Sequence, residues 1–309
     1  MHQDALEAIK KIAAEPREPY RYLKVDRITP VIGAEISGVD LSQEIGSKQF
    51  EEICRAFLEN HVLVFRGQDI TKYQQKAFGR RFGTLRSLPL SDIDGDDPEI
   101  VLIRAGKKST FVAGEVWHTD GTSDPAPSMG SMLYMHETPE IGCGGDTLFA
   151  NMHLAYETLS PTMKEFLKGL TAIHDGAVPW KGFTPPEGLP KTEHPIVAKH
   201  PDTGRSMLFV NSGFTTHIPS LSEDESDAIL NMLFNFIERE QALNCRIRWE
   251  PGTLVFWDNR CTQHRAVWDY YPYSRFGERV TVLGSKPEGA LTLSASQKED
   301  SAYSSPLPA

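Results

Sequence analysis

The strongest constraint on this chain is a series of short strand-like segments that never settles into strand–helix–strand order. SMLYMHE (131–137), GDTLFAN (145–151), HPIVAKH (194–200), SMLFVNS (206–212), CRIRWEP (245–251), GTLVFWDN (252–259) and FGERVTVLG (276–284) are each apolar or alternating. Side chains along a strand point to opposite faces in turn, so short strands become stable by stacking sheets over one another. Neither GxGxxG nor GxxxxGK[ST], the glycine loops that seat phosphates on helix N-termini, occurs in the chain. A Rossmann-type nucleotide fold is therefore disfavoured. A β sandwich or barrel decorated by helices is expected, a mainly β fold with helices.

The helices fall early and between these segments. Residues 48–60 (KQFEEICRAFLEN) place Phe50, Ile53, Cys54, Phe57 and Leu58 at helical spacing, and His61 then leads into the strand-like HVLVFRG. Thr71 with Gln74, and Ser222 with Glu225, have the spacing of capping boxes, while Ser160 followed by Pro161 marks a third helix start. Upstream, PVIGAEISGVDL (30–41) is broken by Gly33 and Gly38 into short strands meeting at a turn. With 309 residues, 39% of them hydrophobic, the chain has enough apolar material for one large core. A single domain over 1–285 is expected, followed by a polar, small-residue tail over 286–309 that is mobile.

Charge bounds the partners. Lys and Arg number 32 against 42 Asp and Glu, and the net charge of −10 repels nucleic acid and anionic membranes. No apolar run approaches the ~20 residues that cross a bilayer, and the amphipathic start MHQDALEAIKKIAAE lacks a signal-peptide core. Cys54, Cys143, Cys245 and Cys261 are widely spaced with no CxxC pair, which argues against a disulfide framework or a thiolate zinc motif. A cytoplasmic protein acting on a small molecule is expected.

Two distant stretches carry the chemistry. In EVWHTDGT, His118 and Asp120 stand at i and i+2, so an extended backbone turns both side chains toward one metal ion. A hydrogen-bonded His–Asp pair at a strand end would look the same. Far downstream come His264, Arg275 and Arg279. A strand over Arg275–Leu283 sets Arg275, Gly277, Arg279 and Thr281 on one face. If that face is outward, the arginines are simply solvated. If it is inward, two buried guanidinium groups need anions, and a dicarboxylate gripped by the planar fork is such a partner. Two imidazoles and one carboxylate on an octahedral face leave three positions open, the arrangement of non-haem Fe(II) oxygenases. A 2-oxo acid fills two of them through its keto oxygen and carboxylate, and dioxygen fills the third.

GAEISGVDL, FRGQDIT, RRFG, WHTD, GGDTLFANMHLAYETLS, FVNSGFTTHI and WDNRCTQHRAVWDYYPYSRFGERVTVLG, running from about Val31 to Pro287, go further. Through them the chain resembles the taurine/2,4-D dioxygenase-like family of Fe(II)/2-oxoglutarate dioxygenases. The resemblance implies a double-stranded β-helix (a jelly roll) with iron at its open end. It implies that His118, Asp120 and His264 are the iron ligands, and that Thr147 and Arg275 hold the distal carboxylate of 2-oxoglutarate. Arg279 is implied nearer the iron, close to the C1 carboxylate and to an anionic substrate group. Trp117 and Trp257 are read as packing, and His61, His136, His153, His174, His194, His200 and His217 as structural or solvated.

The implied reaction uses Fe(II), 2-oxoglutarate and O2, releases succinate and CO2, and hydroxylates an unactivated C–H bond. A leaving group on the hydroxylated carbon would then depart. Asp120 argues against a halogenase, which needs the carboxylate position vacated for halide. Leu88 and Ser91 stand where taurine-cleaving members carry histidine and tyrosine, so taurine is disfavoured and a small organic acid with an apolar body is expected. Loops 104–115 and 175–191 are candidate lids, and Lys107, Lys108 and Lys181 in them either draw in an anion or are simply solvated. The resemblance also implies a homo-oligomer, dimer or tetramer. Two other readings compete: a non-catalytic jelly-roll binding protein, which leaves the triad and arginines unexplained, and a zinc hydrolase on the same triad, with no evident general base.

Overall fold

A computed structural model describes residues 3–88, 95–140, 142–180 and 182–290. The chain begins with α1 (Gln3–Ala14), β1 (Lys24–Arg27), β2 (Ala34–Ser37), α2 (Ser47–Asn60), β3 (Val62–Phe65), α3 (Lys72–Arg80), β4 (Val101–Ala105) and β5 (Gly130–Glu137). There follow β6 (Thr147–Asn151), α4 (Met152–Glu157), α5 (Pro161–Leu167), β7 (Thr171–Asp175), β8 (Lys191–Pro195), β9 (Val197–Lys199), β10 (Ser206–Leu208) and β11 (Thr215–His217). The last part holds α6 (Glu223–Arg239), β12 (Asn244–Ile247), β13 (Thr253–Asp258), β14 (Thr262–Ala266), β15 (Arg275–Val282) and β16 (Glu288–Gly289).

Seven strands form the large sheet in the order β1-β2-β3-β13-β5-β15-β4, and three smaller sheets run β12-β6-β14, β11-β7-β8 and β10-β9-β16. Alternation along the large sheet divides its side chains between two cores. Val62, Val64, Leu133, Met135, Val255 and Trp257 join Phe149, Ala172, Val197 and Leu208 of the smaller sheets. Leu63, Phe65, Met132, Tyr134, Leu254 and Phe256 instead meet Ile53, Phe57 and Phe78 of α2 and α3 on the other face. Central strands are thus covered on both sides, which is why VLVF and TLVFW read as unbroken apolar runs. The architecture is the expected jelly roll, with α2 and α3 laid over the outer face of its larger sheet.

Local signals translate directly. Both capping boxes form, at Thr71 with Gln74 and at Ser222 with Glu225, and Ser160 caps α5 with Pro161 in its first turn. Where the expected segments differ from the strands, backbone pairing explains why. Residues 194–200 do not make one strand: the Ile196 N–H donates to Leu170 and its carbonyl accepts from Phe209, so the chain changes sheets there. The 145–151 segment enters its ladder only at Thr147, because Gly145 is left-handed (φ +87) and gives its N–H to Asp269 Oδ1.

The domain boundary set at 285 needs correction. Glu288 and Gly289 pair with Lys199 and Ala198, and the Ala290 N–H donates to Val197 at 3.0 Å. The edge of β9 is completed by these residues, so the folded chain runs to 290, and 291–309 lies outside the described residues. Among the described residues, no helix is long and apolar enough to cross a membrane.

Candidate metal centre

The two stretches that carry the chemistry meet as neighbours. His118 and His264 form an antiparallel bridge, each backbone N–H donating to the other's carbonyl at 3.1 and 2.8 Å. Their rings lie 4.1 Å apart between centroids. Asp120 Oδ1 is 3.7 Å from His118 Nε2 and 3.9 Å from His264 Nε2, and one donor atom from each residue lies within 4.8 Å of the other two. Glycines allow this approach. A Cβ on Gly213 would come within 2.7 Å of His118 Cβ, and one on Gly114 within 2.9 Å of the His118 ring.

Each donor is held from behind. The His118 Nδ1–H donates to the Val116 carbonyl at 2.9 Å, leaving the Nε2 lone pair toward Asp120. The His264 ring is flanked by Trp257 at 4.9 Å and by Phe149 at 5.7 Å, nearly parallel. Asp120 Oδ2 accepts from Ser131 Oγ at 2.7 Å, which itself accepts from Asn259 Nδ2 at 2.9 Å. Asn259 Oδ1 in turn accepts from Trp257 Nε1 at 3.0 Å. Sequence reasoning treated Trp257 as packing and missed Ser131 and Asn259. Trp257 does both jobs, wedging an imidazole and anchoring the chain of hydrogen bonds that turns Asp120.

Burial and neighbouring charge set the protonation states. Burial pushes both imidazoles below the ordinary histidine range, His264 well below it, where His118 adds to the effect. Burial alone would raise the Asp120 carboxyl, but Arg279, His264, His118 and the Ser131 hydroxyl together outweigh it and hold it well below the usual carboxylate range. Two neutral nitrogens and one anionic oxygen therefore face a common point, the donor set that suits a first-row divalent metal.

The arginine face of β15 points inward. Arg279 stands opposite Leu133, a residue of the inner core, and its Nη1 donates to Asp120 Oδ1 at 2.9 Å. Arg275 is 4% exposed. Its Nη1 donates to the Gly145 carbonyl at 3.2 Å, its Nε is buried without a hydrogen-bond partner, and no carboxylate pairs with it among the described residues. Desolvation accordingly lowers its pKa, opposed by Tyr270 and Asp146. Thr147 Oγ1 accepts from Trp249 Nε1 at 2.9 Å, so its own proton is free for an acceptor. Trp249 also lies 5.8 Å from the Arg275 guanidinium. A cleft of about 270 Å³, lined by Leu102, Ala105, Thr110, Phe111, Tyr270 and Arg275, opens onto this group. A buried cation lining a cleft fits a carboxylate.

Around the mouth, Phe111 of the 104–115 loop touches Phe183 of the 175–191 loop, with ring centroids 5.1 Å apart. Lys107 and Lys108 are exposed, and the Leu88 N–H donates to Pro98 at 2.8 Å. Lys181 and Ser91 lie outside the described residues. Of the remaining histidines, His136 and His217 are exposed, whereas His61, His153, His174, His194 and His200 are buried. Each of the five has a partner that sequence reasoning overlooked, among them Asp258 at 3.0 Å from His200 Nε2 and Cys261 Sγ at 3.5 Å from His61 Nδ1.

Comparison with known proteins gives consistent results. The profile of the Taurine catabolism dioxygenase TauD, TfdA family matches residues 24–281. The alpha-ketoglutarate-dependent dioxygenase cnsM of Penicillium expansum is 35% identical, over 85% of this chain and 79% of its own. An alkylsulfatase of Acinetobacter baylyi is 34% identical, over 89% of each chain. The crystal structure of a taurine dioxygenase from Burkholderia xenovorans superposes with a TM-score of 0.76 at 34% identity, covering 87% of this chain and 93% of that one.

Proposed function

The chain belongs to the TauD, TfdA dioxygenase family, and from that membership we propose that His118, Asp120 and His264 hold a ferrous ion by one face. The protein is a 2-oxoglutarate-dependent dioxygenase. Bound iron and 2-oxoglutarate supply the oxidising chemistry, in which O2 is consumed, succinate and CO2 are released, and a substrate C–H bond becomes C–OH.

The chain's own residues position and shield. Thr147 and Arg275 take the far carboxylate of 2-oxoglutarate, giving the buried guanidinium the anion that it otherwise lacks. Arg279 places positive charge beside Asp120, available to the near carboxylate or to an acidic substrate head. Ser131 keeps one oxygen of Asp120 turned away so that the other faces the imidazoles. Phe111 and Phe183 join the two candidate lid loops, and their exposed rings offer an apolar wall to a substrate body.

A small organic acid with an apolar body is the substrate class these features support. The alkylsulfatase relative favours an anionic head, and Leu88 at the position of the taurine-family histidine disfavours taurine. Four free cysteines support the cytoplasmic, reducing setting. A dimer or tetramer belongs to the same proposal, and light scattering reads it. A zinc hydrolase gives no reason for a buried arginine facing a cleft, and a binding protein gives none for the three-donor cluster.

The observation that carries this reading is a buried three-donor cluster tied through Arg279 to the β15 face that also carries the anion-seeking Arg275. Anaerobic addition of Fe(II) and 2-oxoglutarate to metal-free protein should produce a weak visible charge-transfer band, absent in His118→Ala. No band at saturation would overturn the reading.

A further inference from the structure

Three residues before His264 lies a second buried cluster that this reaction does not use. Cys261 in the turn between β13 and β14, His61 between α2 and β3, and His153 in α4 bring one sulfur and two imidazole nitrogens within 4.8 Å of one another. They are 0%, 3% and 1% exposed. The backbone locks the same three segments together: the Met152 N–H donates to Cys261 and the Asp258 N–H to His61, both at 2.9 Å.

Two independent features point to a ligand. The first is His153, whose Nδ1–H donates to the Ser206 carbonyl at 2.9 Å while Nε2 is buried without a hydrogen-bond partner. An unpartnered buried nitrogen is costly, and a carbonyl on the opposite ring nitrogen is the support that metal-binding histidines use. His118 receives the same support from Val116. The second is His61, the only non-glycine residue with positive φ among the described residues (φ 65). It ends α2, a position that glycine fills at lower cost. An imidazole is kept there despite the backbone conformation.

Neighbouring groups are already committed. His200 donates from Nε2 to Asp258 and accepts at Nδ1 from the backbone of Asp202 and Thr203. Asp258 is also gripped by Arg260 through contacts of 2.8 and 2.7 Å. His61, His153 and Cys261 are left as the donors.

We propose that His61, His153 and Cys261 form a second metal site for a borderline-soft divalent cation of the zinc class, bound through two neutral imidazoles and one thiolate. Binding forms a metal–sulfur bond and releases the thiol proton to solvent. Sulfur distinguishes this site from the nitrogen–oxygen set at His118, Asp120 and His264, so the two centres sort metals by softness.

Cobalt(II) titration of the metal-free full chain under anaerobic conditions tests this without reference to activity. Two equivalents should bind, one with the near-ultraviolet sulfur-to-cobalt charge-transfer absorption that the His118 centre cannot give. Cys261→Ala should remove that absorption and one equivalent, while His118→Ala should remove the other equivalent and keep the absorption. His153→Gln, which preserves side-chain bulk, should weaken cobalt at this site at least about tenfold and leave the His118 site unchanged. A single equivalent without sulfur absorption in the unmodified chain overturns the proposal. So does sulfur absorption that survives Cys261→Ala.

Discussion

Arg275 has few favourable contacts of its own, and on the proposed function it gains them from 2-oxoglutarate. Arg275→Ala should therefore raise the 2-oxoglutarate concentration needed for half-maximal succinate formation by roughly 100-fold or more, the cost of one buried charge partner. The Fe(II) requirement should barely move, and equal losses in both would instead indicate misfolding. Arg275→Lys should fall between, since it keeps charge without the fork. Ser131→Ala frees Asp120 Oδ2 and should weaken Fe(II) binding about 10–100-fold, read by anaerobic titration. His118 with Asp120 and Arg275 with Arg279 were visible in the sequence as pairs at strand spacing, but spacing alone left a plain hydrogen-bonded pair and a solvated face open, and only the family motifs singled them out. Ser131 was not visible, since one hydroxyl near the head of an apolar strand carries no periodic signal. Its role arises only because β5 sits between β13 and β15, placing Ser131 opposite Trp257 on one side and Thr281 on the other.

β15 carries both arginines, and its position depends on the glycine between them. A Cβ on Gly277 would lie 2.5 Å from Met135 Sδ and 2.7 Å from the Tyr134 carbonyl oxygen. The methionine can swing away, but the carbonyl cannot, so β15 must shift where its pairing with β5 is already irregular, between Phe276 and Gly277. Gly277→Ala should consequently lower Tm and raise the 2-oxoglutarate requirement more than about tenfold, following the overpacking cost of a close-packed interior. Ser222→Ala acts on α6 alone: losing its cap costs about 1 kcal/mol. For a chain of this size a Tm drop of about 2 °C with unaltered succinate formation is expected by calorimetry and assay. Capping boxes were readable because both partners lie within one helical turn. The change of sheet at Ile196 was not, because its partners, Leu170 and Phe209, belong to other elements and no feature of HPIVAKH announces them.

At the scale of the whole molecule, buried neutral histidines make the fold sensitive to acid. Burial, with His194 assisting, pushes His174 down to about 3, against about 6.5 in an unfolded chain. Above the unfolded value neither state holds the proton, and stability is at its full level. As pH falls toward the folded value, only the unfolded chain takes up the proton, so stability declines by at most about 1.4 kcal/mol per pH unit for this residue. His174→Gln should reduce the Tm loss between about pH 7 and pH 5, measured by differential scanning calorimetry. An unchanged slope would exclude His174 as a source of acid sensitivity. The His118–His264 rung has a further consequence for how the protein is made. Once Asp120 has been made, a nascent chain carries His118 and Asp120 of the three donors and gains His264 only when β14 appears. On the proposed assignment, the partly made polypeptide lacks a complete donor set for ferrous ion, and oxygen chemistry is withheld until β14 has joined the barrel that contains it.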